Sequence, residues 1–209
     1  MKRKEVLAFV QFLQSKLAPV AHSDLLIDRV EGRQPQARKA AVLLPLFERE
    51  GEIDLLFIRR ASSLRAHSGE IGLPGGSIEP DDETVALAAL REAWEEIGLL
   101  PERVEILGLQ SPVFTVVSNF LISPVVGFLP GGPGTLTLQQ SEVAELLQIP
   151  LSALADPAIL RTERRGPRTI YFYDYGPYCI WGATGRIVHD FLLLVAEWQR
   201  TQAAAQLLD

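Results

Sequence analysis

The stretch ETVALAALREAWEEIGL, Glu83 to Leu99, decides how this chain is read. Its apolar residues recur with helical period from Glu83 to Ile97, and the pattern stops at Gly98, a position suited to a left-handed C-cap. At 100° per residue, Glu92, Glu95 and Glu96 fall within an arc of about 100°, because residues i, i+3 and i+4 share a face. Three carboxylates therefore converge. The same arithmetic sets Leu87, Leu90, Trp94 and Ile97 opposite them. This predicts a helix that buries its apolar side and presents its acids, with the small Ala88 and Ala89 leaving room one turn earlier.

An acidic helix face is ordinarily only a solvated one. Here Glu95 and Glu96 sit in the last turn, at the negative end of the helix dipole, where an anion costs about 0.3–1 kcal/mol. Like charges at i,i+4 add roughly 0.2–0.5 kcal/mol. A divalent cation reverses the sign of both contributions. Oxygen donors without His or Cys among them point to Mg2+ or Mn2+ and away from Zn2+.

Working outward, Ala40–Phe47 and Ile53–Arg60 read as two strands of a hairpin across the charged turn EREGE. Ser62 to Pro80, rich in Gly, Pro and Ser, reads as an irregular loop. Further strands are expected at Val104–Leu109, Leu121–Phe128 and Thr169–Tyr173, with a turn at Pro130–Gly134. Helices are expected at Ser141–Leu147 and from Trp181 or Gly182 to about Gln206. Strands mixed with a few helices, without regular alternation, indicate an α/β or α+β layered domain. Val6, Phe9, Val10, Leu13 and Leu17 recur at helical spacing, so the N-terminal segment is expected to be an amphipathic helix packed on the body and not a signal peptide.

The 209 residues suffice for one domain with a sizeable core, and 20 basic against 26 acidic residues give a net charge of −6. That balance argues against a general nucleic-acid binder; affinity for a polyanion must come from local Arg or from metal ions. The longest apolar run, within Ile187–Ala196, is broken by His189 and Asp190 and is too short to span a bilayer, so no membrane association is expected. The single Cys179 cannot form an internal disulfide, which suits the cytoplasm.

Upstream of the acidic helix, Arg60 and Arg65 offer forked donors for phosphate oxygens, and Gly69, Gly75 and Gly76 let backbone approach a ligand or metal. The plainer alternative is an exposed strand end followed by a Pro-Gly-Gly turn. Glu142 stands at the start of a predicted helix, where the dipole favours its charge and Ser141 is placed to cap. Arg161, Arg164, Arg165 and Arg168 form either a solvated turn or a second phosphate contact. His67 and His189 are read as hydrogen-bonded structural residues, and Trp181 and Phe191 as core.

Glu83, seven residues, then Arg91-Glu92-Ala93-Trp94-Glu95-Glu96-Ile97-Gly98-Leu99 resembles the Nudix box, a loop-helix-loop metal site. Six residues, Ser77 to Asp82, separate Gly76 from Glu83, where the box usually has five. The preceding run of Arg60-Ala61, Arg65, Gly69, Leu73-Pro74-Gly75-Gly76 and Glu79 resembles the signature of Nudix enzymes that hydrolyse coenzyme A. Val113-Phe114-Thr115, Ser123-Pro124-Val125-Val126 and Ile180-Trp181-Gly182-Ala183-Thr184 are also similar to bacterial coenzyme A pyrophosphatases.

The resemblance implies a Nudix fold, a mixed β-sheet sandwiched between α-helices. It places an N-terminal helix and connecting segment at residues 1–36 and the catalytic domain at 37–209. It implies cleavage of the pyrophosphate of coenzyme A or acyl-CoA, a small-molecule substrate, with Mg2+ or Mn2+. Glu92 and Glu96 become metal ligands, Glu95 a further ligand or base, Arg91 the residue that orients them, and Glu142 an acid from outside the box that serves as ligand or base. Arg60, Arg65, Gly75 and Gly76 become substrate contacts. Another nucleoside diphosphate derivative, such as ADP-ribose or a dinucleotide, and a non-catalytic nucleotide-binding module are the alternatives.

Overall fold

The computed structural model describes residues 3–20, 36–62 and 67–206. The chain opens with helix α1 (Arg3–Lys16), then strands β1 (Arg38–Arg49) and β2 (Glu52–Arg60). Between them Glu50 and Gly51 both have positive φ, 54° and 85°, the backbone of a tight hairpin whose twist matches its strands. Two short strands follow, β3 (Ile71–Gly72) and β4 (Gly75–Ser77), before helix α2 (Val85–Ile97). Then come β5 (Glu105–Leu109), β6 (Val113–Thr115), β7 (Phe120–Phe128), β8 (Val143–Pro150) and the one-turn α3 (Leu151–Leu154). The chain closes with β9 (Leu160–Arg165), β10 (Arg168–Tyr175), β11 (Tyr178–Ile180) and the long helix α4 (Gly182–Gln206).

Strands β1 to β8 form one mixed sheet in which β1 and β7 run parallel, Arg38 opposite Phe120 through Leu46 opposite Phe128, and the other pairs are antiparallel. β1 pairs with β2 only from Leu46 to Arg49, because beyond that point the two strands diverge. β3 pairs with Ile58 and Arg59 of β2, while β4 pairs with Ala40 to Val42 of β1. Since β8 and β7 hold the outer edges of β2 and β1, the segment from Ile71 to Ser77 fills the gap between them. A Gly-Gly pair is thereby set into the middle of a sheet, so the expected irregular loop is partly strand.

The strand period of two sends alternate side chains to opposite faces. Ala41, Leu43, Phe47, Leu56 and Ile58 pack against α2. Leu44, Leu46, Leu55 and Phe57 pack on the other side against Phe9, Val10 and Leu13 of α1 and Ile187, Val188 and Phe191 of α4. The fold is thus a mixed α+β layered structure with the sheet between helices, as expected. α1 packs on α4 through Phe9 and Phe12 against Trp198. No helix among the described residues is long and apolar enough to cross a membrane.

Two expectations are overturned here. Val143–Pro150 is a strand, not the helix expected over Ser141–Leu147; its apolar residues serve either period, and a register shift opposite Arg59 and Arg60 lets it complete the free edge of β2. The α2 helix is also rotated relative to the expected orientation: Leu90 and Ile97 are buried as expected, but Leu87 and Trp94 are not. Its buried side carries Ala88, Ala89, Ala93, Leu90, Ile97 and Glu96, whereas Leu87 and Trp94 face outward at 45% and 53% exposure. Small residues let the helix axis come close to the sheet, and that proximity outweighs the burial of two larger side chains. Ala88 and Ala89 are helix-sheet contact, not room for a ligand.

Candidate active site

α2 is capped at both ends by its own sequence. The Thr84 hydroxyl accepts from the Leu87 N–H at 3.1 Å, and Gly98, at φ 67°, donates its N–H to the carbonyls of Ala93 and Trp94. Both caps fix the helix in rotation and length, and so fix where its carboxylates stand. Glu92 and Glu96 lie on the sheet-facing side beside Gly75 and Gly76, while Glu95 sits at the rim with its side chain 49% exposed.

Gly75 is required by contact with backbone, and a side chain at Gly76 would displace the Glu92 carboxylate. A Cβ on Gly75, whose φ is +155°, would stand 2.3 Å from the Ala41 carbonyl oxygen, and one on Gly76 would stand 2.5 Å from the Glu92 carboxyl carbon. Gly75 also donates its N–H to Glu96 Oε2 at 2.9 Å. Burial of Glu96 pushes its pKa up to about 7 against the opposing pull of that N–H and of Arg60; Glu92 and Glu142 push it further up. Burial raises Glu92 as well, with Arg91 pulling it down and Glu95 and Glu142 pushing it up.

Arg91 organises the rim. Its Nη1 donates to Glu92 Oε1 at 3.1 Å and to Glu95 Oε2 at 3.2 Å. Nε and Nη2 form a fork on the two oxygens of Asp82, at 3.1 and 3.0 Å, and Nη2 also reaches the Ser77 carbonyl at 3.0 Å. Asp82 is a residue that the sequence reading missed. It lies in the six-residue spacer before Glu83, outside any periodicity, and the longer spacer is its only trace in the sequence. Glu83 itself is exposed.

Arg60 ends β2 on the same face. Its Nη1 lies 3.9 Å from Glu96 Oε1, and among the described residues its buried Nε has no hydrogen-bond partner. Arg65 lies outside the described residues. Glu142 is brought to the site not by a helix, as expected, but by a turn. Gln139 donates its N–H to the Glu96 carbonyl at 2.9 Å, Glu142 donates its N–H to the Gln139 carbonyl, and the Glu142 carbonyl receives the Ala61 N–H at 2.8 Å. Its charge thereby reaches Glu92 and Glu96.

The set is not a closed cage: among the described residues no three His, Cys, Asp or Glu side chains stand in metal-ligand geometry. Arg91 and the Gly75 N–H engage the carboxylates instead. The donor chemistry nonetheless fits a hard divalent ion, with acidic oxygens only and two carboxylates whose charge is disfavoured by burial.

The remaining candidates lie elsewhere. Arg161 contacts Asp174 and Arg165 contacts Glu163 on the exposed β9–β10 hairpin. His67 pairs with Glu70, and His189 bonds the Tyr173 hydroxyl while stacking on Tyr171, as structural residues do. Phe191 is core, but Trp181 is 39% exposed and is not.

The splayed sheet, the capped acidic helix and the glycine pair beside it define a Nudix-type hydrolase site. The chain belongs to the Nudix family: the family's NUDIX domain model matches residues 37–168. It is 38% identical over 157 residues to an uncharacterized Nudix hydrolase, NudL, of Photorhabdus laumondii, covering 73% of this chain and 82% of that protein. It is 35% identical over 175 residues to the NudL of Citrobacter koseri, covering 82% and 90%. A MutT/nudix family protein from Enterococcus faecalis shares the fold with a TM-score of 0.51 at 16% identity, covering 73% of this chain and 60% of that one.

Proposed function

We propose that this Nudix hydrolase cleaves the pyrophosphate bond of coenzyme A or acyl-CoA to adenosine 3',5'-bisphosphate and 4'-phosphopantetheine or its acyl form. The observation that carries this reading is the buried Glu96 and half-buried Glu92 against Gly75-Gly76, with Arg60 Nη1 3.9 Å from Glu96 on the same face. The run from Arg60 to Glu79, similar to that of coenzyme A pyrophosphatases, supports the substrate. Mg2+ or Mn2+ bound by Glu92, Glu96 and Glu95 would neutralise the pyrophosphate and acidify a water. Arg60 donates to a phosphate oxygen, and Arg91 holds Glu92 and Glu95 in place through Asp82. Glu95 or Glu142 takes the proton of the attacking water as its oxygen bonds to phosphorus and the bridging oxygen leaves with the electron pair. Residues 1–36 are assigned as an accessory segment and 37–209 as the catalytic unit, working in the cytoplasm.

Turnover with Mg2+ or Mn2+ on coenzyme A, an acyl-CoA, ADP-ribose and a dinucleoside polyphosphate tests the reading. Highest kcat/KM on the coenzyme A compounds is expected. Preference for ADP-ribose or the dinucleotide overturns the substrate, and lack of turnover on the whole set, with binding retained, overturns catalysis.

A further inference from the structure

Trp181 borders a cavity of about 520 Å3 together with Arg59, Ile71, Glu145, Tyr178 and Cys179. The cavity lies across β2 from the carboxylates. Arg59 and Arg60 are neighbours whose side chains leave opposite faces of that strand, Arg60 towards Glu96 and Arg59 into the cavity wall. The wall is held in place: Arg59 Nε donates to Glu145 Oε2 at 2.8 Å, and the Tyr178 hydroxyl donates to Glu145 Oε1 at 2.7 Å. The indole of Trp181 is braced too. Phe172 lies parallel to it, 5° between planes and 6.1 Å between centroids, and the Arg161 guanidinium stands 4.1 Å from the Phe172 centroid.

An exposed indole whose plane is fixed by a stack is a platform for another flat ring, since little side-chain entropy remains to be lost on binding. Every nucleobase offers such a π-face. A pantetheine arm, built of tetrahedral carbons with a branched dimethyl centre, gains much less from a flat wall. Trp94 is also exposed, beside a smaller cavity of about 280 Å3 next to Glu95, but no aromatic ring stacks on it among the described residues. We propose that the cavity walled by Trp181 receives the adenine base of the substrate, whose phosphates run past the end of β2 towards Arg60. This rests on the reading of the substrate as an adenine nucleotide.

Isothermal titration of the full chain with AMP, ribose 5-phosphate and 4'-phosphopantetheine in Mg2+ tests it. The parent should bind AMP more tightly than ribose 5-phosphate. Trp181→Ala should weaken AMP by about 5- to 150-fold and leave ribose 5-phosphate unchanged, while Trp181→Phe restores most of the loss and thermal melts show both variants folded. Unchanged AMP affinity in Trp181→Ala, a loss on 4'-phosphopantetheine in place of AMP, or the AMP loss appearing in Trp94→Ala instead overturns the assignment. A parent that fails to hydrolyse coenzyme A while the AMP result holds overturns the proposed reaction and leaves the base site standing.

Discussion

Glu96 is 2% exposed, yet it must ionise to hold a cation. With its pKa raised to about 7, the folded chain retains a proton that the unfolded chain has already released above the ordinary carboxylate range. The contribution to stability is therefore full below pH 4 to 5 and is lost as pH rises through 7, by about 3 kcal/mol in all. In chelator, Glu96→Gln should melt above the parent at pH 8 and close to it at pH 5; equal melting temperatures at pH 8 count against the burial described. With saturating Mg2+, Glu96→Gln and Glu92→Gln should each lower kcat by several orders of magnitude, and near-parental turnover removes them from the site.

Asp82 acts through Arg91. Asp82→Asn breaks the fork and leaves Arg91 free to swing between Glu92 and Glu95, so apparent metal affinity should fall about 10- to 100-fold in a titration of activity with Mg2+. Arg91 lowers the pKa of Asp82, so the pair stabilises the fold above the ordinary Asp range and the gain disappears on acidification through the depressed value. Parental Mg2+ dependence in Asp82→Asn rejects the positioning role. Arg60→Ala should lower kcat/KM by about 10- to 150-fold, the worth of a charge-assisted contact. An equal loss on coenzyme A and its 3'-dephospho form places Arg60 on the scissile pyrophosphate, where its proximity to Glu96 puts it; a loss confined to coenzyme A rejects that placement and assigns it to the 3'-phosphate.

At the scale of elements, the sequence reading found α2, its C-cap and the convergence of its acids, because these depend only on spacing along one helix. It placed the sheet-facing side only in part: Leu90 and Ile97 are buried as expected, but the packed face is centred on the alanines, and Leu87 and Trp94 point outward. Helical periodicity groups residues into faces but does not say which face packs, and a strip of alanines carries little hydropathy although it permits the closest approach. A buried carboxylate, Glu96, on the packed face with the half-buried Glu92 beside it is a local inconsistency of the kind that marks a functional site. β8 was misread for a related reason: in SEVAELLQIP the apolar residues satisfy both periods, and only the open edge of β2 decides between them. Asp82 was invisible because its partner is spatial. The corrected orientation makes a prediction of its own. Ala89→Leu should push α2 off the sheet, costing about 1–3 kcal/mol in denaturant melts and moving Glu92 and Glu96 enough to abolish turnover. Leu87→Ser, on the outward face, should change stability by less than about 0.5 kcal/mol and leave kcat intact. The reverse pattern restores the orientation expected from hydropathy.

Over the whole molecule, the sheet separates two bodies of core with different duties. The α2 side carries the carboxylates and Arg60; the other side joins α1, α4 and the β9–β11 sheet into the larger cluster. Leu13 of α1 is fully buried in that second cluster, on the face of the sheet away from the carboxylates. Truncating it removes buried methyl groups and leaves a cavity, for about 2–5 kcal/mol. At the size of this chain that corresponds to a fall of about 4–20 °C in Tm. Glu92 and Glu96 stand on α2, on the opposite face of the sheet from Leu13, so the cavity opens in the cluster that does not hold them. Leu13→Ala should therefore lower Tm within that range while kcat and KM at 20 °C below the new midpoint stay within twofold of the parent. An unchanged Tm shows that α1 is not integral to the core, and a large change in kcat at full folding shows that the two faces are coupled through the sheet.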